Sequence, residues 1–526
     1  MSVQIARIGG ETAEQYPAEI VGGKAANLAR MAALGLPVPP AFVLPISLCA
    51  ATVNGEASAA EDLAAALAEG IQFLEKTTGK KFCDRRRPLL VSVRSGAARS
   101  MPGMLDTVLN VGCSLPAVHG LVRMTGHPRF GNDCRRRFLE SYGTVVLGID
   151  RTEFANTRDA LVAAEHVGSE AALDCDAIEH LAAAYERVIE DDGRVLSDDP
   201  TEHLISAAQA VFRSWMSDRA GTYRRLQHLE DLQGTAVTVM VFGNAGGSSG
   251  AGVAFSRDPS SGVATPVIDV LFDSQGEDVV SGDHNPETEN ALAVSLPQAA
   301  NDLRAALRRL EDEFADVQDV EFTIENGKLW MLQTRAAKRT PRAALRLAID
   351  FVKEGRISAA EGLSRLDGVD LRALVNKRLV IAAQPIGHGT CASSGVAVGR
   401  AAFDSDSAAR FAAGGDPVIL VRPDTATADV AGFATAAGIV TAVGGRTAHA
   451  ALVARQMGKP CIVGCTALSI GPAARAAQLA GTAIGEGDWL SIDGEAGAIY
   501  LGRGDVVTER PEAELAEVER WRAAAA

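Results

Sequence analysis

His449 stands in the stretch GIVTAVGGRTAHAALVARQMGKPCIVG, Gly438 to Gly464, where a strand hands over to a helix. Gly438–Val443 reads as a short buried strand and Gly444-Gly445 as a tight turn. Thr447 is a good N-cap, which predicts a helix over Ala448–Met457, closed by Gly458 and Pro460. A first-turn histidine lies among free backbone N–H groups, at the positive end of the helix dipole. That setting favours a bound anion and keeps the imidazole neutral, with a nitrogen able to attack. The small neighbours Ala448 and Ala450 leave the ring approachable, so the pattern suits a covalent phosphoryl carrier better than an inert helix-start histidine.

Residues 319–335, DVEFTIENGKLWMLQTR, supply a second set of reactive types. Asn326-Gly327 predicts a hairpin. A two-residue turn would pair Glu325 with Lys328 and put Glu321 and Gln333 on opposite faces. A three-residue loop ending at Gly327 pairs Ile324 with Lys328 and Asp319 with Gln333. That second register gathers Val320, Phe322, Ile324, Trp330 and Leu332 on one apolar face. Asp319, Glu321, Thr323, Leu329, Met331, Gln333 and Arg335 take the other, and this cleaner division selects it. Two acids, an amide and an arginine on one face suit Mg²⁺ held by carboxylate and amide oxygens (Glu321 and Gln333) beside a polyphosphate clamped by arginine. A surface salt-bridge ladder is the plainer alternative.

Two more basic residues stand at element ends. Gly22-Gly23 opens a helix from Lys24 to about Leu34, so Lys24 can meet a phosphate at the helix start, although the spacing is no Walker A motif. A solvated lysine is the plainer reading. Arg94 ends the apolar strand Leu89–Arg94, and the small, methionine-flanked Gly96–Gly103 that follows has the makings of a lid. The glycine-rich GNAGGSSGAG after the strand Thr235–Phe242 is either a phosphate cradle or a plain connection.

The elements that must position these residues fall into several domains, because 526 residues are too many for one core. The pattern divides the chain into 1–340 (with a helical insert at about 128–231), a helical linker 341–381, a compact domain 382–504 and a charged C-terminal helix 505–526. Within the insert, Arg135-Arg136-Arg137 reads as a solvated helix face and Trp215 as core. Within 382–504, six strands surround the His449 helix and a second helix at AARAAQLA. The net charge of −15 argues against a nucleic-acid or anionic-membrane surface. No apolar run reaches membrane-spanning length and the N-terminus lacks a signal pattern, which predicts a cytoplasmic protein. The eight cysteines form no CxxC pair and read as reduced, mostly buried thiols.

In order along the chain, GGKAANLARMAALGLPVPP, LLVSVRSGAARSMPGMLDTVLN, GTAVTVMVFGNAG, SQGEDVVSG, DVEFTIENGKLWMLQTR and GGRTAHAALVARQMGKPCIVG resemble the motifs of the pyruvate, phosphate dikinases. The resemblance to phosphoenolpyruvate synthases is looser, and SGAARSMPGM favours the phosphate-using enzymes. The likeness runs from about residue 4 to residue 504. It implies a multidomain α/β and α+β fold: an ATP-grasp nucleotide-binding domain followed by a swivelling β/β/α phosphohistidine domain. It implies that Lys24 and Arg94 contact ATP phosphates, that Asp319, Glu321, Gln333 and Arg335 line the Mg–ATP site, and that His449 is phosphorylated. Thr447 matches a threonine that plant relatives phosphorylate for regulation.

The activity so implied is an ATP- and phosphate-dependent dikinase that phosphorylates its own histidine. The family's C-terminal barrel, which binds pyruvate and phosphoenolpyruvate, lies beyond the resemblance, so a separate barrel protein is the expected partner. A nucleotide-binding regulator and a phosphohistidine donor to another acceptor are the alternatives. Two positions and one stretch depart from the family pattern: Arg446 replaces a usual methionine, Asp269 replaces a common glutamate, and SGDHNPE follows QGEDVV where an arginine-bearing stretch is usual. Ala448 fills a place held by serine or alanine.

Overall fold

A computed structural model describes the backbone at all positions but 1–2, 11, 57, 100, 102–103, 243–247, 276–277, 280–284, 425–429, 447–448, 472–474 and 526. Side chains are described outside those positions and 226, 242, 430–431, 449–450 and 525. The chain divides into two units, 1–247 with 330–334, and 248–329 with 335–526.

The first unit is built on strands β1 (Ala6–Ile8), β2 (Ala41–Leu44), β3 (Lys81–Phe82), β4 (Pro88–Gly96), β5 (Thr107–Val111) and β6 (Ala236–Phe242). They run in the order β1-β2-β6-β4-β3, with β5 on β4. Alternation along these strands divides the sheet. Phe42, Leu44, Val91, Val93, Val237 and Val239 enter one large core with Leu63, Phe138 and Val211 of the flanking helices. Ser92, Arg94 and Thr238 take the opposite face of β4 and β6.

The helical insert corrects one expectation. Arg135 and Arg136 are buried, at 7% and 3% exposure, and form no solvated face. Arg136 meets Asp133, Glu140 and Glu170 at 2.8–2.9 Å, and Arg135 meets Glu186 at 2.7 Å. Burying guanidinium groups is tolerable only with such pairing. Two of the acids come from other helices, which a local reading of RRR cannot see. Trp215 is buried as expected.

A second sheet, of order β11-β10-β7-β8-β9, consists of β7 (Gly250–Phe255), β8 (Val267–Phe272), β9 (Glu287–Thr288), β10 (Gln318–Glu325) and β11 (Lys328–Ala336); all of it but 330–334 belongs to the second unit. Only Asn326 and Gly327 lie between β10 and β11, at φ 52° and 76°. Two successive left-handed residues make a type I′ turn, so Glu325 faces Lys328 and the three-residue register is wrong. The expected apolar face fails with it: Leu329 and Met331 are buried, while Trp330 and Leu332 are half-buried. Counted from this turn, Gln333 falls on the face opposite Glu321. The alternation stops at Gln333-Thr334, both buried, and beyond it Arg335 reaches Asp319.

The remaining part of this unit is an eight-stranded sheet, in order Gly387–His388, Ala498–Leu501, Trp489–Asp493, Val396–Ala402, Val418–Arg422, Gly438–Thr441, Cys461–Val463 and Thr390–Ser393. AARAAQLA contains no described helix. Ala476–Leu479 is a strand with Ala477 and Leu479 buried, turned by Ala480-Gly481 (both at positive φ) into Thr482–Gly485. Alanine's helix propensity yields here to a period-two burial pattern. Strands Asn376–Val380 and Asp505–Glu509 pair antiparallel, so the chain enters and leaves this sheet through a ribbon. The helices Pro341–Lys353, Ala359–Ser364 and Glu512–Ala525 share a small core containing Leu345, Ile349, Val518 and Trp521. Among the described residues no helix is long and apolar enough to cross a membrane.

Candidate functional site

In the first unit, a glycine pair sets where Lys24 begins its helix. Gly22 has φ 80° and ψ 154°, and a Cβ there would lie 1.9 Å from the Gly96 carbonyl oxygen. Gly23 N–H donates to Ala97 O at 2.9 Å, so the helix Gly23–Ala33 starts against the end of β4, the strand that carries Arg94. Lys24 is exposed in the first turn; Arg94 is half-buried, and its Nε is hidden without a hydrogen-bond partner. One turn beyond Lys24, Asn27 Nδ2 donates to Thr334 O at 2.9 Å, and Met331 N–H donates to Pro37 O at 2.7 Å. These bonds tie the segment holding Gln333, itself 6% exposed, to the elements around Lys24.

In the second unit, Asp319 is 2% exposed and accepts from Arg335 Nε at 2.8 Å through Oδ2; its Oδ1 is buried without a partner. Burial pushes the Asp319 carboxyl up from its ordinary range, and the Arg335 charge only partly opposes this. Burial works against the Arg335 cation too, but Asp319 and Glu321 outweigh it and hold the guanidinium firmly charged. Glu321 is half-buried two residues along the strand, on the same side as Asp319. An orphaned carboxylate oxygen beside a second carboxylate is a donor set that fits a hard divalent cation.

The turn ahead of His449 is held from β8 and the segment before β9. Gly444 N–H donates to Asn285 Oδ1 at 3.0 Å, and Arg446 N–H to Asp269 Oδ2 at 2.7 Å. Arg446 Nε also lies 3.9 Å from Asp269 Oδ1. A Cβ at Gly445 would come within 2.4 Å of the Pro286 ring, so the approach needs glycine there. Arg455, 1% exposed, donates to the Arg446 carbonyl at 2.6 Å and lies 5.0 Å from the Phe255 ring centroid on β7. Burial pushes its guanidinium below the usual range, which Asp319, Asp269 and Asp258 resist. Arg446 and Asp269, two of the departures from the family pattern, are therefore partners.

His449 is the first residue of the helix His449–Gln456. Its side chain, and all of Thr447, lie outside the described residues, as do 243–247 of the glycine-rich loop and parts of the Gly96–Gly103 and SGDHNPE stretches. Lys24, Arg94 and Gln333 belong to the first unit, and Asp319, Glu321, Arg335 and the His449 turn to the second. Asn285, Arg455 and Asn27 went unmarked in the sequence. Arg455 alone left a signal there, a charge on the buried side of an otherwise apolar helix.

Residues 52–297 and 287–355 match the pyruvate phosphate dikinase AMP/ATP-binding domain, and residues 414–497 match the mobile domain of PEP-utilising enzymes. The chain is 41% identical over 498 residues to pyruvate, phosphate dikinase of Clostridium symbiosum, covering 93% of this chain and 57% of the relative. The Rhizobium meliloti (strain 1021) dikinase is 41% identical over 520 residues, covering 95% and 58% respectively. For the Giardia intestinalis dikinase the identity is 39% over 528 residues, covering 97% and 60%. The class so defined is a mixed helix-and-sheet, multidomain protein with a nucleotide-binding domain ahead of a mobile domain. Within it, the chain belongs to the pyruvate, phosphate dikinase family, a family of phosphotransferases. It spans 57–60% of the length of these relatives.

Proposed function

We propose that the chain carries out the nucleotide half of a dikinase reaction, with His449 as the phosphoryl carrier. The observation that carries this reading is the anchored turn. Asp269 and Asn285 hold Gly444 and Arg446, and Arg455 of the His449 helix donates to the Arg446 carbonyl, all within the unit that holds Asp319, Glu321 and Arg335. The proposed layout is an ATP-grasp domain over 1–340, a helical linker 341–381, a swivelling phosphohistidine domain 382–504 and a C-terminal segment 505–526.

In this reading Lys24 and Arg94 neutralise the phosphate chain, and Arg335, charged and tied to Asp319, adds a donor beside it. Glu321, with the free oxygen of Asp319, would hold Mg²⁺, which when bound would offset the charge of the polyphosphate; Gln333, expected beside them, is on the opposite face of the hairpin and is left out of this set. The His449 nitrogen attacks the β-phosphorus, the bond from that phosphorus to the α–β bridging oxygen breaks, and AMP leaves. Attack by inorganic phosphate on the γ-phosphorus then releases pyrophosphate and leaves one phosphoryl group on His449. The in-line step needs nitrogen and phosphorus about 3–3.5 Å apart, so the phosphohistidine domain must swing between its donor and its acceptor.

The names of the relatives supply pyruvate as that acceptor. It would be bound by a barrel carried on a separate protein or on further chain. Thr447, two residues before His449 in the sequence, would be the site of regulatory phosphorylation, and the reading puts the protein in the cytoplasm. The test is product analysis by ³¹P NMR with Mg–ATP, phosphate and a phosphohistidine acceptor. AMP and pyrophosphate in equal amounts are expected; ADP and phosphate as the only products would contradict the reading.

A further inference from the structure

Ser92, Arg94, Asn110 and Thr238 form a buried polar seam in the first unit. Arg94 faces Thr238 across β4 and β6, and Ser92 lies two residues back on the same side of β4. On the other flank, Val91 pairs with Val111 and Val93 with Val108, so Leu109 and Asn110 together oppose Ser92. This extra residue is a β-bulge. It is made by Asn110 at φ 52°, a conformation asparagine tolerates better than most side chains. Val108 and Val111 both enter the main core with Val91 and Val93, which leaves the bulge beside Ser92.

Ser92 and Asn110 are 0% exposed and Thr238 6%. Ser92 Oγ, Arg94 Nε, both amide atoms of Asn110 and Thr238 Oγ1 are all hidden and have no hydrogen-bond partner. An orphaned buried group costs about 1–3 kcal/mol, so a seam of five is not kept dry. A water needs two to four polar partners in a roomy polar site, and it can donate and accept at once. The seam supplies donors and acceptors in that number.

We propose that ordered water held by Asn110, Ser92 and Thr238 accepts the Arg94 Nε–H, making Asn110 a positioning residue for the guanidinium. The inference rests on Arg94 meeting phosphate, as proposed above. The water's hydrogens go to Asn110 Oδ1 and a seam hydroxyl, and Asn110 Nδ2 donates to the remaining oxygen. With Nε tied back, the four outer N–H groups of Arg94 form a fixed fork suited to two phosphate oxygens.

The test is a set of double-mutant cycles read by calorimetric binding of Mg–ATP. Ser92→Ala and Thr238→Val keep the strand shapes, and Asn110→Gly keeps the left-handed backbone. Each should weaken Mg–ATP roughly five- to tenfold with Arg94 present, and by less than about twofold in an Arg94→Ala background. Equal losses in both backgrounds, or none in either, would overturn the positioning role. A high-resolution crystal structure of the chain gives a second readout. A water within hydrogen-bonding distance of both Arg94 Nε and Asn110 Oδ1 is expected, and direct pairing of these side chains without water overturns the proposal. Should the wild-type chain bind no ATP, the functional reading falls, while the crystallographic arm still decides this one.

Discussion

At the scale of single residues, the buried charges and dipoles divide by what surrounds them. Asp133 is buried but met by Arg136 and Arg137, so its carboxyl is held well below the ordinary range, attraction overcoming desolvation. Asp319 is met by one guanidinium on one oxygen, and burial wins. His203 shows the same balance for a cationic acid. It is 3% exposed, with its centroid 5.1 Å from those of Phe138 and Tyr142, and its Nε2 lies 2.6 Å from the Ser197 carbonyl. Burial pulls its pKa below the ordinary value, only partly offset by that carbonyl. The folded chain therefore takes up this proton later than the unfolded chain as pH falls. The stability contribution is complete above about pH 6.5 and declines below it, by up to about 1.4 kcal/mol per pH unit. Urea unfolding between pH 5 and 8 should show that decline, and a His203→Phe variant should lack its share of it. Identical pH slopes for the two proteins would contradict the assignment.

At the scale of elements, the glycines and turns decide what could be foreseen. GGK before a helix was legible because the spacing is local, and the structure adds the reason: Gly22 must pass against the Gly96 carbonyl. Its φ and ψ fall in a region nearly closed to other residues, at about 1–3 kcal/mol from the backbone alone. Gly22→Ala should lower the melting temperature and Mg–ATP binding together. Gly55→Ala, with φ 67° but nothing within 4 Å of its added Cβ, should cost less and leave binding unchanged. Calorimetry and thermal unfolding of the two variants check the contrast, which equal effects would refute. The hairpin register was not legible, because Asn-Gly serves both a two-residue turn and a bulged three-residue loop, and the apolar residues offered a clean face in the wrong one. AARAAQLA misled for a similar reason: alanine fits a helix, and only pairing with Thr482–Gly485 makes it a strand.

At the scale of the whole molecule, the order of the parts was readable because each motif is local, while their anchoring is not. Asp269 and Asn285 hold a turn far along the chain, and no spacing rule links them to Gly444 or Arg446. Asp269 and Arg446 were visible separately; that the Arg446 N–H donates to the Asp269 carboxylate needed coordinates. The central claim remains that His449 carries the phosphoryl group, and ATP labelled with ³²P in its β-phosphate tests it most directly. After incubation with Mg–ATP and phosphate, the wild-type chain should hold acid-labile, base-stable label that peptide mass spectrometry places on His449. His449→Ala should hold none while still binding ATP. Undiminished label in His449→Ala, or label mapped to another residue in the wild-type chain, would contradict the account.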